Sequence, residues 1–303
     1  IGRLEVWRND HWATILGEPS APIGGRAISI MSVTIDYVTI ATTGDALDFG
    51  DQSSGSGSEV GCCASSTRGI LAGGFVSPAR VNTIDFITIA NLGDTTDFGD
   101  LTSGRSGPAA ISDSTRGVFA AGFPSNNIID YITISSTGNA QDFGDITELD
   151  SYGIMGTSSP TRGVFAGRQP TNNTIEYITI QSTGNSMDFG DLFTGRYYPM
   201  MNSSSTRALI GGGGSPSQTN TIEYLTIAST GNGTDYGDLT VARRGSQGTG
   251  SPTRGLFLGG GTPSNSNTID FVTTATLGDA QDFGDLTRSG TYIGATSNAH
   301  GGL

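Results

Sequence analysis

The chain contains no lysine: all 15 of its basic residues are arginine, set against 28 acids for a formal charge of −13. A nucleic-acid partner is therefore not expected, because phosphate binding needs a clustered basic surface. Only two cysteines occur, the neighbours Cys62 and Cys63, and with no third cysteine to pair with, a disulfide framework is excluded. Histidine appears twice, as His11 and His300 in unrelated contexts, too seldom for a transition-metal centre or a Ser-His-Asp triad. No apolar run is long enough to span a bilayer, so no membrane insertion is expected. Ile1 opens the chain with neither a leader-like segment nor an initiator methionine, and further residues are expected before it.

Glycine is abundant, with 47 copies, and apolar residues come in short bursts separated by turn signals. That pattern fits many short strands and tight turns rather than helices. The first residues, GRLEVWRNDHWATI, alternate apolar and polar side chains around Asn9 and Asp10 and read as a β-hairpin, followed by the linker GEPSAPIGG. Residues 1–24 are assigned to this hairpin and linker, and 25–303 to one repeat domain.

The repeat is plainest in TRGVFAAGFPSNNIIDYITISSTGNAQDFGDIT, Thr115 to Thr147. An acid followed by an aromatic and β-branched residues recurs at Asp36, Asp85, Asp130, Glu176, Glu223 and Asp270. A DFGD or DYGD ends 15 residues later in every copy, at Asp51, Asp100, Asp145, Asp191, Asp238 and Asp285. Between copies the acid recurs after 49, 45, 46, 47 and 47 residues, so insertions are confined to the other half of the unit. An arginine stands upstream of each acid, at Arg26, Arg68, Arg116, Arg162, Arg207 and Arg254, at gaps of 10 to 17 residues. Each unit parses into four strands, and a period of this length with four strands is the mark of a β-propeller. The C-terminal LTRSGTYIGATSNAHGGL supplies a first strand, and the copy beginning near Arg26 lacks one. Joined, they make a composite blade, six blades in all.

The glycine-ended AGGF at Ala72, AAGF at Ala120 and IGGGG at Ile210, the IEY at Glu176 and Glu223, and Arg105, Arg196 and Arg243 before strand one resemble the kelch repeat. One departure is the Phe or Tyr of DFGD, where kelch repeats usually carry tryptophan. The LEVW hairpin with Trp12 is similar to hairpins of bacteriophage tail-fibre and other virion proteins, and runs such as NTIDFITI at Asn82 and TGNAQDFGDI at Thr137 resemble the NTIDYITIxxTGNAxDFGDL repeats of phage proteins, aquatic phages in particular. That resemblance implies a virion or extracellular location, contact with other virion proteins, and a homo-oligomer, commonly a trimer, formed through residues N-terminal to the propeller.

Several features invite chemistry. The six acids and six arginines form rings that could line a tunnel, but a feature copied in every blade is expected to be scaffold, an arginine fork reaching a carboxylate or turn carbonyl. Asp45, Asp48 and Asp51 lie three apart, as do Asp94, Asp97 and Asp100, which raises calcium; the spacing does not match a calcium loop, and three copies carry Asn139, Asn185 or Asn232 instead. Hydrogen bonding of the turn is the expectation, with no cofactor. Carboxylate pairs for glycoside cleavage stay open, since pairing is set in space.

The connections from strand two to three and from strand four to the next strand one fall on one face of a propeller, and here these are the segments that vary. They carry Arg80, Arg105, Phe123, Tyr152, Arg168, Arg196, Tyr197, Tyr198, Arg243, Arg244, Arg288 and Tyr292. Arginine, aromatics and small polar residues are the make-up of adaptable binding surfaces. The sequence thus predicts an all-β, six-bladed kelch-like propeller, preceded by a short hairpin, that binds a host-surface glycan or protein without catalysis. Alternatives are a structural virion subunit contacting other virion proteins and a polysaccharide-cleaving enzyme.

Overall fold

A computed structural model describes residues 5–8, 11–14, 25–52, 57–148 and 152–303. All its regular structure is β, and six four-stranded antiparallel sheets form the blades of a propeller. Blade 3 shows the plan: Ala109–Ser112, Arg116–Ala120, Ile128–Thr133 and Gln141–Asp145, paired in sequence order. The β-branched run of the third strand suits a pleated surface covered on both sides, and Ile129, Ile132 and Ile134 are all buried.

Six buried apolar clusters lie between neighbouring blades. One joins Ile111, Val118, Ile129 and Phe143 of blade 3 to Phe165, Ile178 and Ile180 of blade 4. No blade owns a core of its own, which is why the unit occurs only as a series.

The ring closes as expected. Gly294–Ser297 pairs with Arg26–Met31, matching Ala27 to Ser297 and Ile30 to Gly294, and completes blade 1 from both ends of the repeat region. Asn298 accepts a hydrogen bond from the Arg26 amide at 2.8 Å. In blade 2 the Ser65 hydroxyl does the same for the Arg68 amide at 3.1 Å, so Asn298 restores a turn that the chain itself does not connect. Upstream, Glu5–Arg8 and His11–Thr14 pair as an antiparallel hairpin with Trp7 opposite Trp12. Its expected turn at Asn9 and Asp10, and the linker up to residue 24, lie outside the described residues.

The constant interval of 15 residues has a geometric cause. In every blade the third and fourth strands slip register just before the acid, so that Gly144 faces Ile129 while Asp142 faces Asp130. This bulge turns Phe143 into the inter-blade core. The DFGD glycine sits at positive φ, +143° at Gly144, and a Cβ there would lie 2.5 Å from the Gly184 backbone of the next blade. Into that notch docks the neighbour's Thr-Gly-Asn turn: the Asp145 amide donates to Asn185 Oδ1 at 3.0 Å, and the Gly184 amide to the Phe143 carbonyl at 2.7 Å. The equivalent acceptors are Asp94, Asn139, Asn232, Asp279 and Asp45, the last bonded from Asp285 across the closure. An acceptor oxygen is all the position requires, which explains why Asp and Asn alternate there.

The recurring arginines form a second ring. Each guanidinium lies over the third-strand aromatic of its own blade, Arg116 over Tyr131 at 4.3 Å, and donates to a carbonyl at the end of that strand in the next blade, Ile180 at 2.9 Å. Arg26, Arg68, Arg162, Arg207 and Arg254 repeat this with the carbonyls of Ile89, Ile134, Ile227, Thr274 and Ile40. Of the two expected partners, carbonyl and carboxylate, the carbonyl is the one used.

The innermost strands leave an axial cavity of about 40 Å³, lined by Cys62, Ile111, Met155, Met201 and Thr249 among others. By that measure it has room for a few water molecules. His300 follows the closing strand, near where the other copies carry the recurring arginine. Arg26 occupies that place, and His300 instead turns to the axis, with Nε2 2.8 Å from the Ala64 carbonyl and 3.2 Å from Ser112 Oγ. Burial holds its pKa below the usual histidine range.

Candidate binding face

The acids of the third strands are spoken for. Asp130 takes hydrogen bonds from the Thr102 hydroxyl at 2.7 Å and amide at 3.1 Å, both in the segment entering from the preceding blade. The amides of Thr147, Phe193, Thr240 and Thr287 likewise donate to Glu176, Glu223, Asp270 and Asp36. Four of the acids also hold a buried arginine: Arg105 on Asp130 at 2.9 Å, Arg168 on Glu176 at 2.6 Å, Arg243 on Asp270 at 3.0 Å, and Arg196 on Glu223.

These pairs correct the sequence reading of the variable loops. Arg105, Arg168, Arg196 and Arg243 lie on the expected connections, yet their side chains fold under them and are at most 3 % exposed. A buried carboxylate without a counter-charge is costly, and the arginine satisfies it. Blade 4 makes the point: no arginine occurs in its entry segment, so Arg168 reaches the same acid from the loop between strands two and three. Burial lowers the pKa of Arg105, Arg196 and Arg243, each opposed by its acid partner. Burial also raises Glu223, with Arg196 opposing.

The remaining candidates are brought together. Isolated bridges Ser106 to Phe123, Tyr152 to Gln169, Tyr197 to Gly214 and Arg244 to Gly261 tie each entry segment to the strand two to three loop of its blade, so both variable connections share one face. Across it runs a continuous aromatic stripe. Exposed Arg80 lies 4.1 Å from the ring centre of Phe123 in the next blade, which packs edge-on to Tyr152 at 5.1 Å. Tyr152 meets Tyr198 at 5.3 Å, and Tyr198 meets Tyr292 at 5.2 Å. Tyr197 branches from Tyr198 and carries Arg244, whose guanidinium stands 4.7 Å over its ring and donates to its hydroxyl. Edge-to-face rings and stacked arginines stiffen one another, so the surface is ordered before any ligand arrives. Tyr198 is itself buried, a support for its neighbours more than a contact residue. Arg288 is exposed, and its charge is the least of the influences on Asp36, opposing the burial that raises that carboxyl's pKa.

Burial raises the phenol pKa of Tyr198 and Tyr292, so both hydroxyls stay protonated donors at neutral and mildly alkaline pH. Beside Tyr292 opens a cavity of about 170 Å³ bounded by Tyr198, Arg244, Gln218, Asn265 and Thr291. Gln218 and Glu59, close to both tyrosines, escaped the sequence reading. Glu59 carries one signal: it occupies the position of Gly107 in the next copy.

Comparison with known families finds no family model that matches the chain, and no curated protein matches it. The propeller rests on the structure, and nothing in these comparisons ties the chain to kelch repeats or to phage proteins.

Proposed function

We propose that the chain is a binding module whose variable face engages a host-surface glycan or protein, carried on a virion appendage such as a tail fibre. One observation carries this reading. The residues constant among the blades are engaged in blade-to-blade contacts, whereas the stripe from Arg80 to Tyr292 is built at positions whose residue changes from blade to blade, aromatic in some and glycine, serine or arginine in others. A scaffold needs no such asymmetry. The virion setting is supported by the LEVW hairpin and by runs such as TGNAQDFGDI at Thr137. The hairpin side would join the face to a shaft through residues N-terminal to the propeller, in an oligomer, with other virion proteins as neighbours.

The test is adsorption of fluorescent protein to a panel of bacterial cells, with released sugar assayed in the same wells. Saturable adsorption without sugar release, abolished by Arg80→Ser combined with Phe123→Ser, is the expected result. Release of reducing ends would replace this reading with a polysaccharide-cleaving one. Failure to adsorb to any cell, with stable binding to other virion proteins, would make the chain a structural subunit.

A further inference from the structure

Where each entry segment turns into the innermost strand, six equivalent residues adopt positive φ. Glycine fills three of these positions, Gly107, Gly153 and Gly245, at φ of 62°, 76° and 78°. The other three are Glu59, Tyr198 and Tyr292, at 62°, 52° and 57°. A left-handed backbone suits glycine and strains a bulky side chain, and such strain persists where a side chain is needed for something other than the fold. All three side chains gather over the axis on the variable face: Glu59, Tyr198 and Tyr292 line one small cavity there, and the two tyrosines also wall the larger one.

We infer that the 170 Å³ cavity beside Tyr292 is a subsite for one neutral pyranose unit of a glycan, an assignment that rests on the variable face being the binding face. Tyr292 is 37 % exposed and braced by Tyr198, so its ring offers a rigid apolar platform for the C–H face of a sugar. Asn265 and Gln218 on the cavity wall present both donors and acceptors, which is what hydroxyl groups require. Arg244, stacked on Tyr197 and bonded to its hydroxyl, adds fixed donors without an ordering cost. The neutral class is argued from charge: Arg244 on the cavity wall and Glu59 on the other side of Tyr292 offset one another, so no net charge is left to hold an acidic sugar, and the whole chain carries −13, a field that repels one.

The experiment is an array of immobilised oligosaccharides, some of neutral hexoses and some bearing uronic or sialic acids, probed with wild type, Tyr292→Gly and Asn265→Ala. Tyr292→Gly installs the residue that three other blades carry, so its Tm should equal or exceed that of wild type. Its binding to neutral hexose chains should fall at least tenfold, and that of Asn265→Ala several-fold. A lower Tm with unchanged sugar binding would make Tyr292 a structural plug and overturn the subsite. Binding confined to acidic sugars would overturn the ligand class. Adsorption to cells with no sugar bound overturns the subsite and leaves the binding face standing, whereas absence of both removes the two together.

Discussion

At the residue scale, equivalent positions in a repeat are not energetically equivalent. Asp130 and Asp36 occupy the same place, yet Asp130 faces the buried guanidinium of Arg105, while Asp36 has only the Thr287 hydroxyl and amide and one Oδ1 without a partner. Breaking a buried pair strands a charge, so Asp130→Asn should cost about 3–5 kcal/mol in urea denaturation. Asp36→Asn keeps one acceptor oxygen and should cost under about 1 kcal/mol at pH 7. The pH dependence has a definite sign. Burial raises the folded pKa of Asp36 above 3.8, so the folded state binds its proton more tightly than the unfolded chain. The resulting stabilisation is complete below pH 3.8 and is lost as pH rises through the raised value. Measured against Asp36→Asn, wild type should therefore lose stability over that window, and a gain would contradict the assignment.

At the scale of the element, the informative contacts run between blades. The DFGD glycine and the glycine of the Thr-Gly-Asn turn both have positive φ, but only the first has a neighbour where its Cβ would go. Around Gly138 there is open space, whereas at Gly99 an added Cβ would lie 2.5 Å from the Gly138 carbonyl oxygen. Gly138→Ala should thus cost about 1–3 kcal/mol from backbone strain alone, and Gly99→Ala distinctly more, by thermal or urea unfolding. Arg116→Ala removes a stacked cation and a carbonyl hydrogen bond and should cost about 1–3 kcal/mol. Much of this was legible beforehand, because an interval of 15 that no copy breaks marks a rigid strand pair. Its inter-blade partners were not legible, since Asn185 and Asp145 are 40 residues apart and only the packing of one blade on the next brings them together. The same holds for the four arginines of the variable loops: whether a loop arginine points out to a ligand or down to a buried acid depends on the acid below it. The left-handed positions were hidden for another reason, since Tyr198 and Tyr292 do not look like glycines.

At the scale of the whole molecule, the propeller divides its labour. Three rings of contacts, the amide-to-Asn or Asp docking, the arginine latch and the acid seat, hold blade to blade and pass through the composite blade, where Asp285 meets Asp45 and Arg254 meets Ile40. The opposite demand falls on one face, where copies differ and an aromatic stripe crosses several blades. The central claim, that constant residues carry the fold and the stripe is free for binding, is tested most directly by a saturation-substitution scan read by protease resistance, which needs no knowledge of the ligand. The account predicts sensitivity that recurs at the positions of Arg116, Asn139 and Gly144 in all six copies, with Arg80, Phe123, Arg288 and Tyr292 tolerant of most substitutions. Equal sensitivity along the stripe, or tolerance at the recurring positions, would contradict it.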